Sequence, residues 1–171
     1  MSVGAPEPSR QPAGSEPATR AVPVAPARMV EVGAKDVTER VAVAECMLTT
    51  TPEACAALAA GTPKGSPLEA AKVAGLMAAK RTPDLLPYCH PIAVTGAAVA
   101  LEPDADVGTI RVEATVRAND RTGVEMEALT AAAVAALSLY DAAKMYDRAA
   151  EIGGLHLVSK SGGKSGEYRR A

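Results

Sequence analysis

From Glu125 to about Ala149 the chain is a single run of strong helix formers, entered through the turn Arg121-Thr122-Gly123-Val124. A helix of that length has to be covered by the rest of 171 residues, which suffice for about one domain. The covering material is unusual. With no Phe, no Trp and four Tyr, the core must be built from Ala, Val, Leu, Ile and Met, so its elements have to approach one another closely. Association between subunits would add buried surface that such small side chains cannot easily generate within one chain.

The remaining elements follow from local signals. Val41 to Thr50 partly alternates and ends before Pro52, as a strand does, and Pro52 to Ala60 predicts a short helix stopped by Gly61. Ser66-Pro67-Leu68-Glu69 is a helix start, with Ser66 as cap, Pro67 at the first helical position and Glu69 completing a capping box. That helix should run to about Arg81 on an inner stripe of Leu68, Ala71, Gly75, Leu76 and Ala79, with Gly75 permitting close packing. Ile92 to Leu101 and Thr109 to Val116 predict a hairpin turning at Pro103, Asp104 and Gly108, and Leu155 to Ser159 a last strand. This order predicts an α+β fold, a ferredoxin-like (split βαβ) antiparallel sheet with helices packed on one face. Residues 1–28 hold six of the thirteen prolines and almost no large apolar residue, so a disordered tail is expected there, with residues 29–171 forming the single domain.

A net charge of −2 argues against nucleic acid as the main partner, although local lysines can still bind a small anion. Cys46, Cys55 and Cys89 are odd in number and lack paired metal spacing, so neither a disulfide framework nor a zinc site is expected, and a reducing cytoplasm fits best. No apolar run approaches the ~20 residues needed to span a bilayer, so no membrane partner is expected. No metal or other cofactor is expected.

Four stretches carry candidate chemistry. Glu125-Met126-Glu127 places two carboxylates around a methionine just after Gly123. Tyr88-Cys89-His90-Pro91 falls in a loop, where Cys89 is a poor match for a nucleophile because sequence neighbours rarely have the geometry of nucleophile and base. His90 suits hydrogen bonding or proton transfer, or is simply structural. Asp141 and Lys144 share a helix face, either as a surface salt bridge or, if Ala133, Val134 and Leu137 mark a covered face, as a pair tuned for acid–base work. Lys160-Ser161-Gly162-Gly163-Lys164-Ser165-Gly166 fails as a nucleotide loop because Val158 stands where the first glycine belongs and too few residues follow for a helix. Such a tail can still wrap a phosphate, or be solvated terminus. Glu127 and Asp141 lie about 21 Å apart on a continuous helix, so one small reacting centre in one chain cannot touch both. They serve either the two ends of an extended substrate or a pocket completed by a second subunit.

Together these motifs resemble the molybdenum cofactor biosynthesis protein C family, the cyclic pyranopterin monophosphate synthases. The match runs from Met29-Val30-Glu31-Val32 to Gly166 and includes Lys64-Gly65, Ala78-Ala79-Lys80, Cys89-His90-Pro91, Thr122 to Thr130, Tyr140-Asp141, Lys144 and Lys160 to Gly166. The resemblance implies a homohexamer, a trimer of dimers with sites at subunit interfaces. It also implies a lyase that converts a nucleotide-derived cyclic dihydro-GTP, supplied by a radical S-adenosylmethionine enzyme, into cyclic pyranopterin monophosphate and pyrophosphate. By the same carry-over Asp141 is the acid or base, with Lys144, Lys64 and Lys160 as catalytic or phosphate-binding groups. Tyr88, Cys89, His90, Glu125, Met126 and Glu127 are the substrate-binding segments. The chain departs from the family pattern at Tyr88, at Thr62-Pro63 and at Ala142-Ala143. The competing class is a binding module that kept the fold and lost turnover.

Overall fold

A computed structural model describes residue 1, residues 26–164 and residues 166–171. Most of the expected tail therefore lies outside the described residues. The chain runs β1 (Thr38–Thr49), α1 (Pro52–Ala60), α2 (Pro67–Lys80), α3 (Thr82–Leu85), β2 (Val94–Asp104), β3 (Thr109–Asp120), α4 (Glu125–Ala143), β4 (Glu151–Ser161) and β5 (Tyr168–Arg169). The strands form one sheet in the order β2-β3-β1-β4-β5, with every neighbouring pair antiparallel. Since β1 and β2 both run against β3, they are parallel to each other with β3 between them. That interleaving is the split βαβ pattern.

The core is as thin as the composition requires. Ala42, Ala44, Cys46 and Leu48 of β1 and Ile110, Val112, Ala114, Val116 and Ala118 of β3 are buried at alternate positions. They meet Ala128, Ala132, Ala135, Ala136 and Leu139 of α4 in the same cluster. The close approach shows in single atoms: the Cys46 thiol donates to the Ala132 carbonyl at 3.5 Å. A Cβ added at Gly75 of α2 would lie 2.9 Å from both the Ala131 carbonyl oxygen and Val99 Cγ2. The packing role expected of this glycine is therefore real. The opposite face of the sheet carries a polar network in which Arg111 pairs with Glu45 at 2.7 Å and with Glu102 at 3.2 Å.

Several local expectations need correction. α4 ends at Ala143, not about Ala149. The N–H groups of Tyr146 and Asp147 both donate back to the Ala143 carbonyl, and the Asp147 carboxylate accepts from the Thr50 hydroxyl at 2.9 Å and the Ala149 N–H at 2.8 Å. A partner 97 residues away ends the helix, and local propensity cannot register it. Ser66 caps α2 as expected, accepting from the Glu69 N–H at 3.3 Å. Glu69 itself pairs with Lys72 at 2.7 Å, so the reciprocal half of the capping box is missing. β1 and β4 begin three and four residues earlier than expected because the ladder between them supplies partners that alternation alone does not reveal. By length and composition α4 is also apolar enough to cross a membrane, contrary to the reading of the sequence. Its alanines are used here to pack on β1, β3, β4 and α2.

Candidate active site

The N-terminal end of α4 opens into a cavity of about 670 Å³ lined by the segment around Lys35, the Arg121-Thr122-Gly123 turn and the Lys160–Lys164 stretch. Lys160 stands opposite Ala42, an inward position of β1, so its side chain is on the helix side of the sheet. There its ammonium pairs with the Glu125 carboxylate at 2.8 Å, both side chains being about three-quarters buried. Two carboxylates in the first turn suit the positive end of the helix, where N–H groups are unpaired.

Arg40 deepens the same wall. It is only 8% exposed, its Nε donates to the Asp120 carbonyl at 3.2 Å, and it makes no ion pair among the described residues. Gly163 lies against its guanidinium, where any Cβ would collide with it. A buried cation without a counter-ion is costly unless an anion arrives. Lys35, Arg121 and Lys164 add further positive charge around the cavity, against Asp36 and Glu125. Arg40, Lys35 and Arg121 were not among the residues picked out from sequence. Arg40 alternates as a strand residue, and only its inward position betrays it.

Beside the cavity, Glu127 is 1% exposed and the Cys89 thiol donates to its Oε1 at 3.6 Å. Burial raises the Glu127 carboxyl above its ordinary range. Burial, then the nearby Glu127 charge, pushes the Cys89 thiol up to about 11, so it sits there as a neutral donor rather than a thiolate. Among the described residues, Glu127 Oε2 and the buried Thr38 hydroxyl in the cavity wall have no hydrogen-bond partner. His90 Nε2 lies 2.7 Å from the Val30 carbonyl, and because a carbonyl only accepts, this nitrogen is the donor. Tyr88 and Met126 are exposed.

The C-terminal end of α4 is different in kind. Lys144 pairs with Asp141 at 2.6 Å, with side chains 58% and 75% exposed. The covered face suggested by Ala133, Val134 and Leu137 is absent within one chain, since Ala133 and Val134 are only half-buried and Leu137 is exposed. Hydrogen bonding to Lys144 lowers the Asp141 carboxyl, with a smaller contribution from Lys64, and the same bond raises Lys144. Lys64 is presented by a tight turn in which Thr62 and Gly65 exchange backbone hydrogen bonds at 2.9 Å. Thus the structure brings Glu125, Glu127, Cys89 and Lys160 together at one end and Asp141, Lys144 and Lys64 at the other. α4 is continuous between them. Among the described residues no group of three or more His, Cys, Asp or Glu is arranged to hold a metal ion.

A sequence model of the MoaC family matches residues 29–163. A relative from Roseiflexus castenholzii, named cyclic pyranopterin monophosphate synthase, is 56% identical over 142 residues, covering 82% of this chain and 90% of its own. Relatives of the same name from Roseiflexus sp. and Brucella ovis are 54% and 52% identical over 143 residues, covering 90% and 87% of their own lengths. With all of the cavity wall but Lys164, and both ends of α4, inside the matched residues, this chain belongs to the MoaC family.

Proposed function

We propose that the protein is a cyclic pyranopterin monophosphate synthase in molybdenum cofactor biosynthesis, a lyase that turns cyclic dihydro-GTP into cyclic pyranopterin monophosphate and pyrophosphate. The observation that carries this reading is the identity of 52–56% to relatives of that name across 87–90% of their length. The geometry supports it. The cationic wall of Lys35, Arg40, Arg121 and Lys160 suits the charge that develops as pyrophosphate leaves. Glu127, with its unpaired oxygen, suits N–H donors on the ring system. Asp141 and Lys144, charged and hydrogen-bonded, supply a proton acceptor and donor for ring opening and reclosure.

A second copy of the chain would bring all of these to one reacting centre, whereas within one chain the two groups sit at opposite ends of α4. The reading therefore includes a homohexamer, a trimer of dimers, with each pocket built from the N-terminal end of one α4 and the Asp141–Lys144–Lys64 group of a neighbour. It includes a radical S-adenosylmethionine enzyme as supplier of the substrate, and a cytoplasmic setting without nucleic acid or membrane partners. The test is incubation with cyclic dihydro-GTP, following pyrophosphate and pterin product. Stoichiometric release of both is expected. Binding without turnover would replace this reading with that of a binding module.

A further inference from the structure

We infer that Gly123 is a positioning residue, whose missing Cβ leaves the space into which the Glu125 carboxylate folds back to hold Lys160 at the cavity mouth. This goes beyond the proposed function and rests on it only where turnover is measured. Gly123 is not among the glycines with positive φ, so its backbone conformation does not demand glycine. What demands it is the neighbour. A Cβ at this position would stand 2.7 Å from Glu125 Cδ and 2.9 Å from Oε1, and nearer still to Oε2. The three nearest atoms all belong to that one carboxyl group.

The contrast with Gly75 defines the role. There an added Cβ meets a backbone carbonyl of α4, which cannot move without separating two helices. At Gly123 its nearest neighbours are the tip of one flexible side chain, which can rotate away at little cost to the fold. The cost falls on the site. α4 begins without a side-chain cap, since Val124 occupies that position, and the Glu125 carboxylate turns back beside Gly123 and reaches Lys160 Nζ at 2.8 Å. Once Glu125 rotates out, Lys160 loses its only ion-pair partner among the described residues and its long stem is no longer fixed. Gly123, Glu125 and Lys160 all line the cavity, so the change is made inside the wall that faces the ligand.

The test measures Lys160 in the full-length protein without substrate. Trace acetylation followed by peptide mass spectrometry gives the rate at Lys160 relative to Lys72, which is remote and paired with Glu69. Gly123→Ala and Glu125→Gln should each raise the relative rate at Lys160 several-fold, and the double variant should do no more than either alone, since both remove the same pair. The thermal midpoint of Gly123→Ala should stay close to that of the parent, while turnover falls by up to about a hundredfold through misplacement of the cation. Unchanged labelling of Lys160 in Gly123→Ala overturns the inference, as do additive effects in the double variant. A Gly123→Ala chain that fails to fold also overturns it, because only a mobile side-chain tip should stand in the way. Absence of pterin product from the parent protein would count against the proposed function alone and leave the labelling result intact.

Discussion

The two ends of α4 carry similar residue types in opposite settings. At the N-terminal end, Glu125 and Glu127 are drawn into the protein, one paired with Lys160 and the other packed beneath Cys89. At the C-terminal end, Asp141 and Lys144 stand in solvent, joined only to each other. An exposed ion pair contributes little stability and has no reason to be kept for the fold. A buried carboxyl with an unpaired oxygen costs stability, and so is not kept for the fold either. One end is a finished wall awaiting a ligand. The other is reactive equipment awaiting a wall.

The largest effect is expected from breaking the exposed end. Asp141→Asn is nearly isosteric and touches no buried group, so the thermal midpoint should hold while pterin formation falls by about a hundredfold or more. Near-normal turnover would remove Asp141 from the chemistry. If the two ends meet only between subunits, co-refolding Asp141→Asn with Glu127→Ala should restore activity to some pockets, since one interface can then combine both intact residues. Verified mixed oligomers no more active than the separate variants would rule out this sharing.

Next in size is the packing between α2 and α4, which separates the finished end from the exposed one. Gly75→Ala should cost about 1–3 kcal/mol in denaturant unfolding, because the new methyl meets backbone. A neutral result would mean that the helices can part without penalty.

A smaller, pH-dependent effect sharpens the description of the buried end. The Glu127 carboxyl is raised in the folded state, so folding favours its protonated form. Its stabilising contribution is complete below the unfolded carboxyl's range and is lost as pH rises through the raised folded value. Glu127→Gln lacks this titration, so its thermal midpoint should gain on the parent as pH climbs from the acid side toward neutrality. Parallel midpoint curves for the two proteins would show that Glu127 is not held protonated. The smallest effect is expected outside both ends: a chain beginning at Met29 should keep its assembly state and turnover, as its proline-rich leader lacks apolar anchors. Loss of assembly, read by light scattering, would contradict that.

Much of this arrangement was legible locally. The start of α4 at Glu125, the Ser66 cap, the hairpin turn and the close-packing role of Gly75 depend on neighbours or on a periodic stripe, and all are found in the structure. The separation of Glu127 from Asp141 also followed, because helical rise is nearly invariant. What escaped was set by distant partners. The end of α4 depends on Thr50, the reach of β1 and β4 on their mutual ladder, and the importance of Arg40 on its lack of a counter-ion among the described residues. The exposure of Asp141 was left open between a surface salt bridge and a covered pair, since apolar residues on preceding turns say only that a face is covered somewhere, and the structure shows the first.

Read along its length, the chain shows its main helices and strands, its thin alanine-rich core and its family, because propensity, spacing and motif order are local properties. Which charges are buried, which are paired and which are left open is fixed only on folding. Burial and pairing are set by residues far apart in sequence, so Arg40, Glu125 and Lys160 become one cavity wall only once β1, α4 and β4 have met.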